Sequence, residues 1–142
     1  MFFKWYYVLM FKAYRSYWRN ASNFRDRTSR AGYWWVFFVN IVIGAALFVF
    51  MYISISGAGF GSVNRHDTFS TLAPVVILVA WPFVNIIPSV ALTIRRLHDT
   101  GRSAVYYLCS LIPVAGTLIM VYFLASETKT PPDNRYFYRR QV

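Results

Sequence analysis

Residues 95–103, Arg95-Arg96-Leu97-His98-Asp99-Thr100-Gly101-Arg102-Ser103, crowd three arginines, a histidine and an aspartate between two apolar runs. Two chemistries suit that set. Arg95, Arg96 and Arg102 can grip a lipid phosphate or another anion beside the first amides of a following helix. Alternatively, Asp99 pairs with an arginine and His98 hydrogen-bonds the backbone, and the string is a lock between neighbouring helices. Asp99-Thr100-Gly101 favours the lock, because it is a turn signal in which the aspartate hydrogen-bonds onward and the glycine accepts positive φ.

Other chemistry is poorly supplied. His98-Asp99 has the makings of a metal-ligating pair, and Arg65-His66-Asp67 repeats it, but a metal site needs three or more converging ligands and the chain has only two histidines and one cysteine. Cys109 stands in an apolar run with no evident base beside it, which is the setting of a packing residue rather than a nucleophile. Ser103 reads as the N-cap of the next helix. The expectation is a protein that is not an enzyme and has no catalytic residues, no metal and no cofactor.

The elements that position the hinge follow from where charge is missing. The chain is 57% apolar and 20% aromatic but only 14% charged, more apolar than a soluble domain of this size needs. Residues 33–55 carry no charge and, at about 1.5 Å per residue, cover the roughly 30 Å hydrocarbon layer. Ser29 is a plausible N-cap for this helix, and Tyr33-Trp34-Trp35 an interfacial aromatic belt. Residues 72–94 form a second such run, interrupted by Pro74, Pro82 and Pro88, with Asn85 as the one amide deep in the layer. Prolines free backbone carbonyls, so this helix should be kinked and packed on protein. Asn85 is then either part of a polar pathway or, better, a hydrogen bond that steadies the kink.

Residues 104–125 are long enough for one span, kinked at Pro113 and Gly116, and too short for two. A re-entrant hairpin turning at Pro113-Val114-Ala115-Gly116 is the alternative. Charge bears on the choice, because cytoplasmic flanks collect Lys and Arg. The N-terminal segment and the hinge are basic and should be cytoplasmic, with the glycine-rich loop over 56–71 outside. The basic tail over 126–142, with Lys129, Arg135, Arg139 and Arg140, conflicts with three full spans, which place it outside. Three spans are the preferred expectation, because the first helices usually set orientation.

Residues 1–20 are neither a signal peptide nor a span. On a helix, Lys4, Lys12, Arg15 and Arg19 fall in one narrow sector, with aromatic and aliphatic side chains over the rest. This predicts an amphipathic helix lying on an anionic leaflet, where each basic side chain adds about 1 kcal/mol. Leaflet charge also accounts for the net charge of +10, which leaves no need for a nucleic-acid partner. The predicted fold class is all-α, a single-domain polytopic membrane protein with an interfacial helix and three spans, the third kinked or re-entrant.

Three motifs resemble those of the bacterial DUF805 family of small inner-membrane proteins. Phe24-Arg25-Asp26-Arg27-Thr28-Ser29-Arg30-Ala31-Gly32-Tyr33-Trp34 is similar to its pre-membrane F-x-G-R-x-x-R-x-E-Y-W, marking Arg27, Arg30, Tyr33 and Trp34. The hinge is similar to the family hallmark, and Pro132-Asp133-Asn134-Arg135-Tyr136 to its tail P-x-N-R-Y/F-G, marking Asn134, Arg135 and Tyr136. Asp26 and Gly32 stand where the family pattern has glycine and glutamate, and Phe137 replaces the closing glycine. The resemblance implies a multi-pass protein of the bacterial inner membrane and supplies no activity. Because packing signals outnumber chemical ones, the expected role is an accessory or scaffold subunit. It would dock on another integral membrane protein or on itself, with anionic lipids as further partners. A transporter or channel-like module acting as an oligomer is the rival reading, although three spans of one subunit are too few to enclose a path.

Overall fold

The computed structural model describes the backbone of residues 2–57 and 65–138, with side chains over 10–54, 56 and 72–138. The side chains of Lys4, Arg65, His66 and Asp67, the glycines of the first loop, and Arg139 and Arg140 lie outside the described residues. The described chain is helical, with α1 (Phe2–Arg19), α2 (Arg30–Gly57), α3 (Arg65–Asp99), a 3₁₀ helix (Ala104–Leu111) and α4 (Ala115–Ala125). It divides into two units, one made of residues up to Phe37 and from Ile87 onward, the other of Phe38–Ile86.

α2 begins where Ser29 caps it. The Ser29 hydroxyl accepts the Gly32 amide at 3.2 Å and its carbonyl accepts the Tyr33 amide at 3.0 Å, satisfying donors that a helix start otherwise leaves orphaned. α3 starts earlier than expected, at Arg65 rather than 72, so residues 65–71 are its first turns and not loop. It runs unbroken through Pro74, Pro82 and Pro88. Two polar side chains in its apolar stretch bond to their own helix: the Asn85 amide donates to the Trp81 carbonyl at 2.8 Å and the Thr93 hydroxyl to the Ser89 carbonyl at 2.8 Å. Such bonds to the residue four back spare these groups an unsatisfied place in an apolar setting.

Two stretches are long and apolar enough to cross a membrane, Arg30–Ser54 and Leu72–Asp99. In the unit of Phe38–Ile86 their side chains are largely exposed, including Val42, Phe48, Phe50, Phe83 and Ile87's neighbour Ile86. Apolar surface of that extent is stable against hydrocarbon and unfavourable against water.

Residues 104–125 depart from the preferred expectation of one continuous span. The 3₁₀ helix ends at Leu111, Pro113 cannot continue it, and Val114 adopts φ 61° and ψ −63°. The Ala115 amide then donates to the Pro113 carbonyl at 2.7 Å, closing a three-residue γ-turn. α4 folds back and packs on the 3₁₀ helix. Gly116 makes this possible, because a Cβ there would fall inside the envelope of the Cys109 carbonyl. With 11 residues, α4 reaches only about half the thickness of a hydrocarbon layer.

In the other unit, α1, α2, α3 and α4 contribute to one cluster around Tyr17, Tyr33, Val36, Leu92, Leu97, Met120 and Leu124. Tyr17 and Leu97 are essentially fully buried. Ala13 and Tyr17 turn α1 inward, while Lys12, Arg15 and Arg19 are exposed on its opposite side.

Candidate functional site

The end of α3 is closed by a Schellman motif. The Arg102 amide donates to the Leu97 carbonyl at 2.9 Å and the Gly101 amide to the His98 carbonyl at 3.1 Å, with Gly101 at φ 76°. That conformation favours glycine, and the motif satisfies carbonyls left over at the helix end. A Cβ on Gly101 would also lie 2.9 Å from the Asp133 carbonyl oxygen. Gly101→Ala is therefore expected to cost about 1–3 kcal/mol from backbone strain alone, and to loosen the tail. Limited trypsin digestion should cut at Lys129 faster in the variant; an unchanged cleavage rate would mean the tail does not depend on this turn.

Asp99, fully buried, lies at the centre of the turn. Its Oδ1 accepts from Arg27 Nη1 at 3.3 Å, and its Oδ2 accepts from Arg96 Nη1 and from the Thr128 hydroxyl at 2.6 Å. Its carbonyl accepts the Lys129 amide and the Asn134 side-chain amide, each at 3.1 Å. Asn134 also donates to the Lys129 carbonyl at 3.0 Å and accepts the Tyr136 amide at 2.9 Å, tying the tail into a loop around Asp99.

The arginines work at a second helix end. Arg30 donates from Nε and Nη2 to the Ala125 carbonyl at 2.9 and 2.5 Å, and Arg96 donates from Nε to the Leu124 carbonyl at 3.0 Å and from Nη2 to the Ser126 carbonyl. Two guanidinium groups thus cap the C-terminus of α4, where the carbonyls are orphaned and the helix dipole is negative. Arg96, buried to 0% exposure, serves Asp99 and α4 at once.

His98 stacks on Tyr136 with ring centroids 4.3 Å apart, and its Nδ1 lies 3.4 Å from the Asp26 carbonyl oxygen. Cation–π contacts place Arg27 over Phe137 at 4.9 Å, Arg102 over Phe123 at 4.1 Å and Arg135 over Tyr136 at 4.8 Å. Tyr33 is buried in the core, with Trp34 edge-on to it. Among the described residues no three His, Cys, Asp or Glu side chains gather as metal ligands.

All three motifs therefore meet within one unit: Arg27 from before α2 and Arg30 at its first position, the hinge, and Asn134 and Tyr136 from the tail. Lys12, Arg15 and Arg19 stay apart on the exposed side of α1. Ser103 occupies the N-cap position of the 3₁₀ helix but makes no side-chain cap, which corrects the expectation that its hydroxyl caps the next helix. The tail lies against the hinge, which corrects the placement of the two on opposite sides that three full spans would require. Thr128 escaped the sequence reading, since a threonine in a polar tail carries no sign of a partner 29 residues away. So did Tyr17, whose phenol is pushed up to about 12 by burial and by Tyr14, with Arg95 pulling the other way.

The chain resembles inner membrane protein YhaI of Escherichia coli (strain K12), 31% identical over 123 residues that cover 87% of this chain and 90% of the relative. It also resembles inner membrane protein YhaH of the same strain, 30% identical over 118 residues, or 83% of this chain and 87% of the relative. No solved structure shows significant similarity. The family described as proteins of unknown function, DUF805, matches residues 21–137, a range that takes in all three motifs converging on Asp99. With most of its length matched, the chain belongs to the DUF805 family.

Proposed function

We propose that this protein is a non-enzymatic accessory or scaffold subunit of the bacterial inner membrane, docking on another integral membrane protein or on a second copy of itself. The observation that carries the reading is the use to which the charged motifs are put. Asp99, Arg27, Arg30 and Arg96 spend hydrogen bonds on one another, on Thr128 and on main-chain carbonyls at the end of α4. A site for turnover needs groups left available to a substrate; these groups hold the fold together. Much of what faces outward is apolar helix surface, suited to lipid or to another helix.

Two long apolar helices and a broken third segment support two full spans with a hairpin that enters and leaves on one side. That arrangement would put α1, the hinge and the tail on the same face, and their Lys and Arg content supports a cytoplasmic placement of it. Lys12, Arg15 and Arg19, exposed on α1, would then meet anionic headgroups. The names of the relatives agree with the inner membrane.

Native mass spectrometry of the protein released directly from its own membranes tests the proposal. The expected result is a complex of fixed stoichiometry, with a second membrane protein or in multiples of 16.6 kDa. A bare 16.6 kDa monomer carrying only lipid would overturn the subunit reading.

A further inference from the structure

A cavity of about 20 Å³ lies among α1, the start of α2 and the end of α3, lined by Ser16, Tyr17, Thr28, Gly32 and Arg95 among others. Arg95 is 1% exposed, and its Nε and Nη1 make no hydrogen bond; the Thr28 hydroxyl oxygen, also buried, makes none. Both residues are otherwise well anchored, since the Thr28 amide donates to the Arg95 carbonyl at 3.2 Å. An isolated guanidinium shielded from water is among the costliest groups a fold can contain, unless a charge and hydrogen-bond acceptors meet it.

Among the described residues no carboxylate forms an ion pair with Arg95. Asp26 is the acid whose charge acts most strongly on Arg95, while Arg95 Nε and Nη1 make no hydrogen bond. Asp99 is held by Arg27, Arg96 and Thr128. The cavity also borders the first turn of α2, the positive end of that helix dipole. Tyr17 retains its phenolic proton at any ordinary pH, its pKa being pushed up to about 12. The lining is therefore cationic and rich in donors. Its size sets the occupant: about 20 Å³ admits one body close to a water molecule in size, and a phosphate, a sulfate or a lipid headgroup is too large. A water would satisfy hydrogen bonds but leave the charge unmatched.

We propose that this cavity binds one small monovalent anion of chloride size, held by the Arg95 guanidinium and the Thr28 hydroxyl. The anion completes the packing of α1 against α2 and α3, because Tyr17 and Ser16 of α1 form the other wall. It is a separate site from the Asp99 cluster and independent of which partner the protein docks on.

The test is thermal unfolding of the full-length protein in detergent, with sodium gluconate replaced stepwise by sodium chloride at constant ionic strength. Sodium bromide, sulfate and inorganic phosphate run in parallel. For a ligand bound only by the folded state, Tm rises logarithmically once the ion exceeds its dissociation constant. That rise is expected with chloride and bromide and absent with sulfate and phosphate. Arg95→Gln should abolish it. Thr28→Val, which keeps the cation and removes one hydrogen bond to the ion, should move its onset to about tenfold higher chloride. A wild-type Tm that ignores chloride would overturn the proposal, as would an equal rise with sulfate or phosphate, which would point to a general anion or headgroup surface. Retention of the wild-type onset in Arg95→Gln would also overturn it. If Arg95→Gln does not fold, Thr28→Val decides, with an unchanged onset counting against the site.

Discussion

Asp99→Ala is expected to destabilise the protein by about 3–5 kcal/mol, the cost of breaking a buried charge pair from one side. The variant would leave the guanidinium groups of Arg27 and Arg96 without their carboxylate, in a place where neither reaches water freely. It would also strand the Thr128 hydroxyl that the carboxylate accepts. The main-chain bonds from Lys129 and Asn134 go to the Asp99 carbonyl and survive the substitution, so the tail should weaken rather than detach. Thermal unfolding in detergent gives the readout, with the anionic lipid that co-purifies measured on the same samples. The lock reading requires a large fall in Tm and little change in bound lipid. A variant of wild-type stability that carries more anionic lipid would show that Asp99 instead repels ligands from an anion site formed by the arginines. Asp99→Asn sharpens the result: it keeps the shape and an acceptor for Thr128 but removes the charge, so it should fall between wild type and Asp99→Ala.

Gly116→Ala is the second large effect, and it acts on the backbone alone. The added Cβ would collide with the Cys109 carbonyl, with a further close approach to Ile112 Cβ at 3.2 Å. Neither the carbonyl nor the turn at Pro113–Ala115 can give way cheaply, because the γ-turn hydrogen bond fixes the direction of the returning chain. Over-packing of this kind costs typically about 1–3 kcal/mol and more where backbone must move. The expected outcome is a hairpin forced apart at its tip, with Met120 and Leu124 of α4 partly withdrawn from the core cluster. A cysteine-reactive probe on Cys109, half-buried in the folded protein, should label faster in the variant, and Tm should fall. If Gly116→Ala labels and melts like wild type, residues 104–125 form a continuous helix rather than a hairpin.

Much of this protein is legible along the chain. Uncharged runs longer than a bilayer is thick favour apolar helices, which is why α2 is legible to within three residues at either end, whereas α3 extends the run over 72–94 by seven residues at its start and five at its end. Ser29 signalled the start of α2 and Gly101 the end of α3, because caps are chosen by local backbone chemistry. The motifs around Arg27, Asp99 and Asn134 were each recognisable as strings, and so was the family.

What the tertiary structure decided is who meets whom. Arg27 and Asp99 are 72 positions apart and Asp99 and Asn134 are 35 apart, and periodicity records which face a residue takes without naming the residue opposite. The same limit applied to residues 104–125. Their composition suits a span, and only the approach of Gly116 to the Cys109 carbonyl, with Val114 held at a positive φ, turns them into a hairpin. Arg95 shows it most plainly: by sequence it is one of three hinge arginines, yet Arg96 is bound on every side while Arg95 faces a cavity with two nitrogens unmet. Adjacent residues on a helix point about 100° apart, so neighbours in sequence enter different surroundings, and those surroundings exist only once the chain has folded.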